Sequence, residues 1–335
     1  MSRVEVPNFR PFVGQHCETV ATGSLLAAAG LNLSEPMLFG LGEGLGFIFI
    51  KLSSLPLPFV GGRAKPFALT LALCQNLGLT CKTVETTSGP KAWAALEDPL
   101  RAGHPVGLQL DCFYLEYFSR PIHFAGHFVA AYGYDQRDVL LVDTAPQGSL
   151  QRSSRANVEK ARFAKGPMAA KARAWTILAP ARKSAPDAAI PKALRRAIRA
   201  NAKQYLSPAF KGASHLGILK LAESLPHWLE LARHPEDDLA LAALLMERAG
   251  TGGSLFRNFY RDFLAEAREY LSGAKAKLSA AQRLFADSAE EWAAIAALID
   301  ASARTAEAGP LRDAAERCRR VADIEVAAMR QLVAA

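Results

Sequence analysis

Cys17, His127 and Asp143 are the side chains whose types and settings suit nucleophilic chemistry. Cys17 follows the polar, glycine-led segment Gly14-Gln15-His16 and precedes Glu18-Thr19-Val20-Ala21-Thr22-Gly23-Ser24-Leu25-Leu26, which places its sulfur in the first turn of a helix. Free backbone N–H groups and the positive end of the helix dipole stabilise a thiolate there, and the thiolate is the form that attacks carbonyl carbon. His127 opens the run HFVAAYGYD, which reads as a strand ending in a turn, and the next strand, Val139-Leu140-Leu141-Val142, delivers Asp143. Paired as a hairpin around a turn near Gln136, the imidazole and the carboxylate, 16 residues apart, lie nearly opposite each other. The acid then holds the ring's tautomer while the ring takes the thiol proton. Cys74, Cys81 and Cys112 lie in apolar stretches and read as small buried hydrophobes, and Cys318 sits on a charged helix.

The elements that must position these groups fall into two textures. Up to about Pro180, short apolar runs alternate with Gly and Pro, and PVGLQLDCFYL, HFVAAYGYD, VLLVDTA and AWTILAP are spaced like strands of an antiparallel sheet. Helices are expected over 18–29, closed by Gly30, and over 67–77, closed by Gly78. From Pro186 onward Ala, Leu, Arg, Lys and Glu dominate, with apolar residues at three- and four-residue spacing such as Leu255, Phe259 and Phe263. Helices are expected over 190–205, 215–225, 237–249, 255–271, 274–303 (broken or continuous) and 311–332, and Ser254 reads as an N-cap. The proline-rich segment 179–191 reads as a linker. The expectation is therefore an α+β domain over 1–180 followed by an all-α helical domain over 181–335.

Length and composition narrow the class. A chain of 335 residues, half of them hydrophobic and 21% charged, is a globular protein of about two domains rather than a disordered one. Its apolar stretches are too short to span a membrane, and the N-terminus lacks the apolar core and cleavage site of a secretory signal. Five scattered cysteines with no CxxC argue against a disulfide framework and for a reducing cytoplasm. The net charge of +8 is concentrated in 151–173, where Arg152, Arg155, Lys160, Arg162, Lys165, Lys171 and Arg173 face Glu159 alone. These residues are not interleaved with aromatics, so nucleic acid is not the expected partner. The stretch reads either as a solvated connector or as a docking patch for an acidic protein.

Gly14-Gln15-His16-Cys17-Glu18-Thr19, Glu35-Pro36-Met37-Leu38-Phe39-Gly40-Leu41-Gly42, His123-Phe124-Ala125-Gly126-His127-Phe128 and Tyr132-Gly133-Tyr134-Asp135 resemble the N-terminal domain of butirosin biosynthesis protein H. That domain is related to papain-like peptidases that cleave bacteriocin leaders. The helical second half resembles the uncharacterised domain commonly fused behind it. The resemblance implies a papain-like cysteine-peptidase fold, a Cys17–His127–Asp143 triad and an acyltransferase activity. In that activity an acyl group leaves an acyl carrier protein thioester, rests on cysteine, and is captured by a small-molecule amine, giving an amide in secondary-metabolite biosynthesis. No metal or other cofactor is implied. Papain-like peptidases place an oxyanion-hole Gln six residues before the nucleophile; here that position is Pro11. Gln15 and the Cys17 backbone N–H are the substitutes available.

Rival readings of the same residues stay open. His123 and His127 have HxxxH spacing, but the glutamate of HExxH is missing and a strand follows, which disfavours zinc. His123 then lines the pocket, and His16 is a second base or pocket residue. Gly40, Gly42, Gly44 and Gly46 do not satisfy GxGxxG and read as a flexible turn beside the cleft. Asp111, followed by Tyr114 and Tyr117, either binds a cationic amine or caps a turn. Arg257 and Tyr260 either reach the cleft from the helical domain or lie exposed at its surface, and the helical domain would shield the acyl-enzyme from water. Self-association is open through the same half. A cysteine peptidase or amidase with the same triad, and a non-catalytic binding module with Cys17 merely buried, are the alternatives to acyl transfer.

Overall fold

The computed structural model describes residues 3–52, 55–178 and 186–335. In chain order the first elements are β1 (Val4–Glu5), α1 (Cys17–Ala28), α2 (Glu35–Leu41), β2 (Leu45–Ile50), β3 (Phe59–Arg63), α3 (Ala68–Leu77) and β4 (Thr80–Val84). Next come α4 (Gly89–Arg101), β5 (Val106–Leu110), β6 (His127–Tyr134), β7 (Asp138–Val142), β8 (Leu150–Ser154), α5 (Arg155–Phe163) and β9 (Ala174–Leu178). The remainder is helical: α6 (Pro186–Leu206), α7 (Ser214–Ser224), α8 (Trp228–Leu231), α9 (Pro235–Glu247), α10 (Arg257–Tyr270), α11 (Lys275–Thr305) and α12 (Gly309–Val333).

The chain forms two compact units, Met1–Leu38 with Pro66–Pro186, and Phe39–Lys65 with Asp187–Ala335. A division at 180/181 is therefore incomplete, because Phe39–Lys65 packs with the C-terminal helices. The expected linker falls partly on 179–185, outside the described residues, while Pro186–Pro191 already belongs to α6. Pro186 is the first residue of that helix, where its missing N–H has no partner to lose, while Pro191 lies inside it.

In the first unit an antiparallel sheet runs β4-β9-β5-β6-β7-β8, with β1 also paired to β6. The strands read from apolar runs are present; β4 and β8, whose sequences TCKTV and LQRSS are half polar, lie at the edges of this path, where one side needs no partner. Leu96 and Leu100 of α4 and Val158 and Ala161 of α5 bury the sheet face that carries Val106, Leu108, Val129 and Leu141. Two glycines are sterically required: a Cβ on Gly107 would lie 2.1 Å from the Trp175 ring, and one on Gly133 would lie 2.7 Å from the Val4 carbonyl. Helix α1 is buried nearly all round, from Cys17 to Leu26, and packs on β5 and β6.

In the second unit Leu221, Leu239, Trp292, Ile299, Leu311 and Val321, from α7, α9, α11 and α12, share one core with Phe47 and Phe49 of β2. Phe47 stacks on Trp292 at 5.4 Å, and the Leu45 carbonyl accepts from Asn201 at 2.8 Å. The glycine-rich turn expected to be flexible is fixed here. A Cβ on Gly40 would meet the Phe263 ring at 2.1 Å, so glycine admits close packing rather than mobility. Helix α11 is unbroken over 31 residues. Ser254 is not an N-cap: 252–256 all have positive φ, and Phe256, at φ 73°, precedes α10.

Candidate active site

Cys17 is the first residue of α1, and His16 is its N-cap in extended geometry. A carboxylate from outside the helix stabilises this tip. Glu35, at the start of α2, accepts from the N–H groups of Gln15 (2.9 Å) and His16 (2.8 Å) and from the Thr19 hydroxyl (2.7 Å). The close approach needs Gly14, because a Cβ there would sit 2.7 Å from Glu35 Oε1. Glu18 does the same for a neighbouring helix: fully buried, it accepts from the N–H groups of Phe67 and Thr70 and from the Thr70 hydroxyl at the start of α3. Each carboxylate meets helix-terminal donors that have no intrahelical partner.

His127 and Asp143 meet as hydrogen-bonded partners, Nε2 to Oδ2 at 2.8 Å. A β-bulge decides that they share a face. Between β6 and β7, Tyr134 pairs with Val139 and Gly133 with Leu140, but after the bulge Ala131 pairs with Leu141 and Ala130 with Val142. The corrected register sets Asp143 beyond Val142, diagonal to His127 on its side of the sheet. The unbulged register would set Asp143 opposite Ala130, whose side chain points the other way. The loop after β7 is joined to the nucleophile's loop by the Ala145 N–H donating to the Gly14 carbonyl at 2.8 Å.

Three donors hold the Asp143 carboxylate, which is fully buried: His127 Nε2, the Tyr117 hydroxyl at 2.7 Å on the same Oδ2, and the Thr144 N–H at 2.6 Å on Oδ1. Burial opposes its charge, but the His127 charge and these hydrogen bonds outweigh it and lower its pKa from the ordinary aspartate value. For His127, burial opposes the charged ring. The Asp143 charge and hydrogen bond, together with its hydrogen bond and charge interaction with Cys17, prevail and hold its pKa well above the ordinary histidine value. Burial and the neighbouring Asp143 charge push the Tyr117 hydroxyl well above its ordinary value, so it stays a donor. With Nε2 committed to the acid, Nδ1 is the ring atom left for the Cys17 sulfur. Phe118 stands edge-on to the ring at 5.5 Å. Cys17 and His127 retain 9% and 7% exposure.

Family comparisons bear on this arrangement. The family model described as butirosin biosynthesis protein H, N-terminal, matches residues 16–144, and a domain of unknown function (DUF4872) matches residues 156–332. The chain belongs to the butirosin biosynthesis protein H-like family. Its first unit has an α+β arrangement, a cysteine-bearing helix packed on an antiparallel sheet, and a helical region follows. That membership and the cysteine at the tip of α1 beside the His127–Asp143 pair support cysteine-based catalysis. The chain is also similar to a C39-like peptidase from Bacillus anthracis, at 16% identity and TM-score 0.37 over 54% of this chain and 100% of that one. A search of curated proteins returns no match.

The structure redistributes the other expected site residues of this family member. Arg257 and Tyr260 do not reach a cleft: both are fully buried in the helical unit, Arg257 on Glu325 at 2.7 and 2.9 Å and Tyr260 against Phe263 and Phe285. Asp111 is a loop-building acid rather than an open amine site. Its Oδ1 accepts from the Phe113 and Phe124 N–H groups and its Oδ2 lies 2.9 Å from His123 Nδ1. His123 is exposed, stacked on Phe113 at 3.9 Å with Tyr114 at its edge. His123 and His127 thus have separate carboxylates and do not form a ligand pair. Among the described residues no group of three or more His, Cys, Asp or Glu side chains is placed to hold a metal. His16 is buried, and Gln15 is exposed with its N–H committed to Glu35. Glu35, Glu18 and the Tyr117 contact escape sequence reasoning, since each acts across a long separation and a lone acid or tyrosine carries no local signature.

The basic stretch is also resolved. Arg152 pairs with Asp135 and Asp138, Arg173 with Glu85, Arg155 lies 3.8 Å over Trp93, and buried Arg162 donates to the Ala92 and Ala172 carbonyls. Lys160, Lys165 and Lys171 remain at the surface. Among the described residues no helix is long and apolar enough to cross a membrane.

Proposed function

We propose that the chain is an acyltransferase that moves an acyl group from an acyl-carrier-protein thioester through Cys17 to a small-molecule amine, forming an amide in secondary-metabolite biosynthesis. The supporting observation is the sulfur at the tip of α1 facing a ring whose Nε2 is held by buried Asp143. In the first half-reaction His127 takes the thiol proton and the Cys17 sulfur attacks the thioester carbonyl. The carrier thiolate leaves and is protonated by the ring. In the second, the amine attacks the acyl-cysteine, His127 accepts its proton, and the Cys17 thiolate departs. Positioned proton transfer of this kind contributes about 10²–10⁴-fold.

The oxyanion donor in this reading is the Cys17 backbone N–H, which as the first residue of α1 has no intrahelical partner. Lys160, Lys165 and Lys171 offer the acidic carrier a docking patch. Incubation with an acyl-carrier thioester is expected to give an acyl adduct on Cys17 by intact mass, discharged as amide only when amine is added. A Cys17→Ala protein that still turns over overturns the reading. Free acid formed at the same rate without amine assigns hydrolysis by the same triad instead.

A further inference from the structure

Helix α9, PEDDLALAALLME, is apolar on two opposite sides. Leu239, Ala243 and Met246 point into the core of the helical unit. On the other side Leu241, Leu244 and Leu245 are 48%, 48% and 38% exposed. Scattered exposed leucines are ordinary, but three at i, i+3 and i+4 make one continuous stripe. Asp237 and Arg248, both exposed, close the stripe at its two ends. At 3.6 residues per turn, Asp237, Leu241, Leu244 and Arg248 fall within about 60° of one another around the axis.

The order along this stripe is acid, leucine, leucine, base, with spacings of four, three and four. Such a pattern is complementary to itself when reversed. A two-fold axis between Ala242 and Ala243 brings Asp237 of one copy to Arg248 of the other, and Leu241 to Leu244. We infer that this face of α9 is a homodimer interface in which two copies pair antiparallel about that axis. The charges fix direction and register, because a parallel pairing sets Asp237 against Asp237 and Arg248 against Arg248. The same charges disfavour a lipid surface, since Glu236, Asp237 and Asp238 cluster at one end and repel anionic headgroups.

Sedimentation velocity on the full chain, from low-micromolar to hundred-micromolar protein, tests the inference. The wild type is expected to dimerise in that range. Leu244→Glu acts twice per dimer and should raise the dissociation constant about a hundredfold, with an unchanged circular-dichroism spectrum. Asp237→Arg and Arg248→Asp should each weaken the dimer about tenfold, and the double exchange should restore it. A wild type that stays monomeric throughout overturns the inference, including one that floats with anionic vesicles. So does a dimer indifferent to Leu244→Glu, or one in which the double exchange fails to rescue.

Discussion

Replacing Asp143 by Asn asks whether the acid acts through the tautomer of His127. The Thr144 N–H, 2.6 Å from Oδ1, is a backbone donor that cannot reverse, so an Asn at 143 must turn its oxygen toward Thr144. Its amide nitrogen then occupies the Oδ2 position and points a donor at His127 Nε2, where the carboxylate accepts at 2.8 Å. The ring is forced to carry its proton on Nδ1, facing the sulfur, and can no longer accept the thiol proton. The lost interaction is a hydrogen bond between charged partners, about 1.5–3 kcal/mol, which corresponds to about 10- to 150-fold in rate. Loss of the Asp143 charge also lowers the His127 pKa from its raised value, so the alkaline limb of the activity profile moves to lower pH. The assay is iodoacetamide labelling of Cys17 as a function of pH, beside single-turnover acyl transfer. Asp143→Ala, which leaves the tautomer unconstrained, should be impaired no more than Asp143→Asn. Near wild-type labelling in the Asn protein, with an unmoved alkaline limb, would refute the argument.

Tyr117→Phe removes one donor from the ionised carboxylate, so the Asp143 pKa rises toward its ordinary value and the acid limb of kcat/KM moves to higher pH, with a loss of about tenfold. Glu35→Ala leaves two N–H groups and a hydroxyl without their acceptor, and should cost about 1–3 kcal/mol in urea unfolding and slow Cys17 labelling. Arg257→Ala strands the buried Glu325 carboxylate and should cost about 3–5 kcal/mol in the same assay. The His127–Asp143 pair contributes stability that is complete between the two ordinary pKa values. It is lost as pH rises through the raised histidine value or falls through the lowered aspartate value, so the wild-type unfolding midpoint should decline on both sides while Asp143→Asn is flatter.

The division of labour between sequence and tertiary structure is visible in particular residues. Local patterns carried the helix that begins at Cys17, the strands of β5, β6, β7 and β9, and most C-terminal helices, because hydrophobic periodicity and turn residues act within a few positions. They also carried the pairing of His127 with Asp143, since a short hairpin brings neighbouring strands together. The parity of that hairpin was beyond them: a one-residue bulge between Ala131 and Gly133 decides which face Asp143 takes, and nothing in the strand composition announces it. Edge strands β4 and β8 and helix α5, with Arg162 buried among its charges, were hidden by polar residues whose partners lie elsewhere in the chain. Arg257 read as a cleft or surface group until the fold brought Glu325 to it across 68 residues, and Phe39–Lys65 read as part of the first domain until the helical core took up Phe47 and Phe49. Sequence alone determined which groups were available for chemistry and the elements that carry them. Only the tertiary structure decided which charges are neutralised inside and which segments share a core, because burial and pairing depend on the sum of distant contacts.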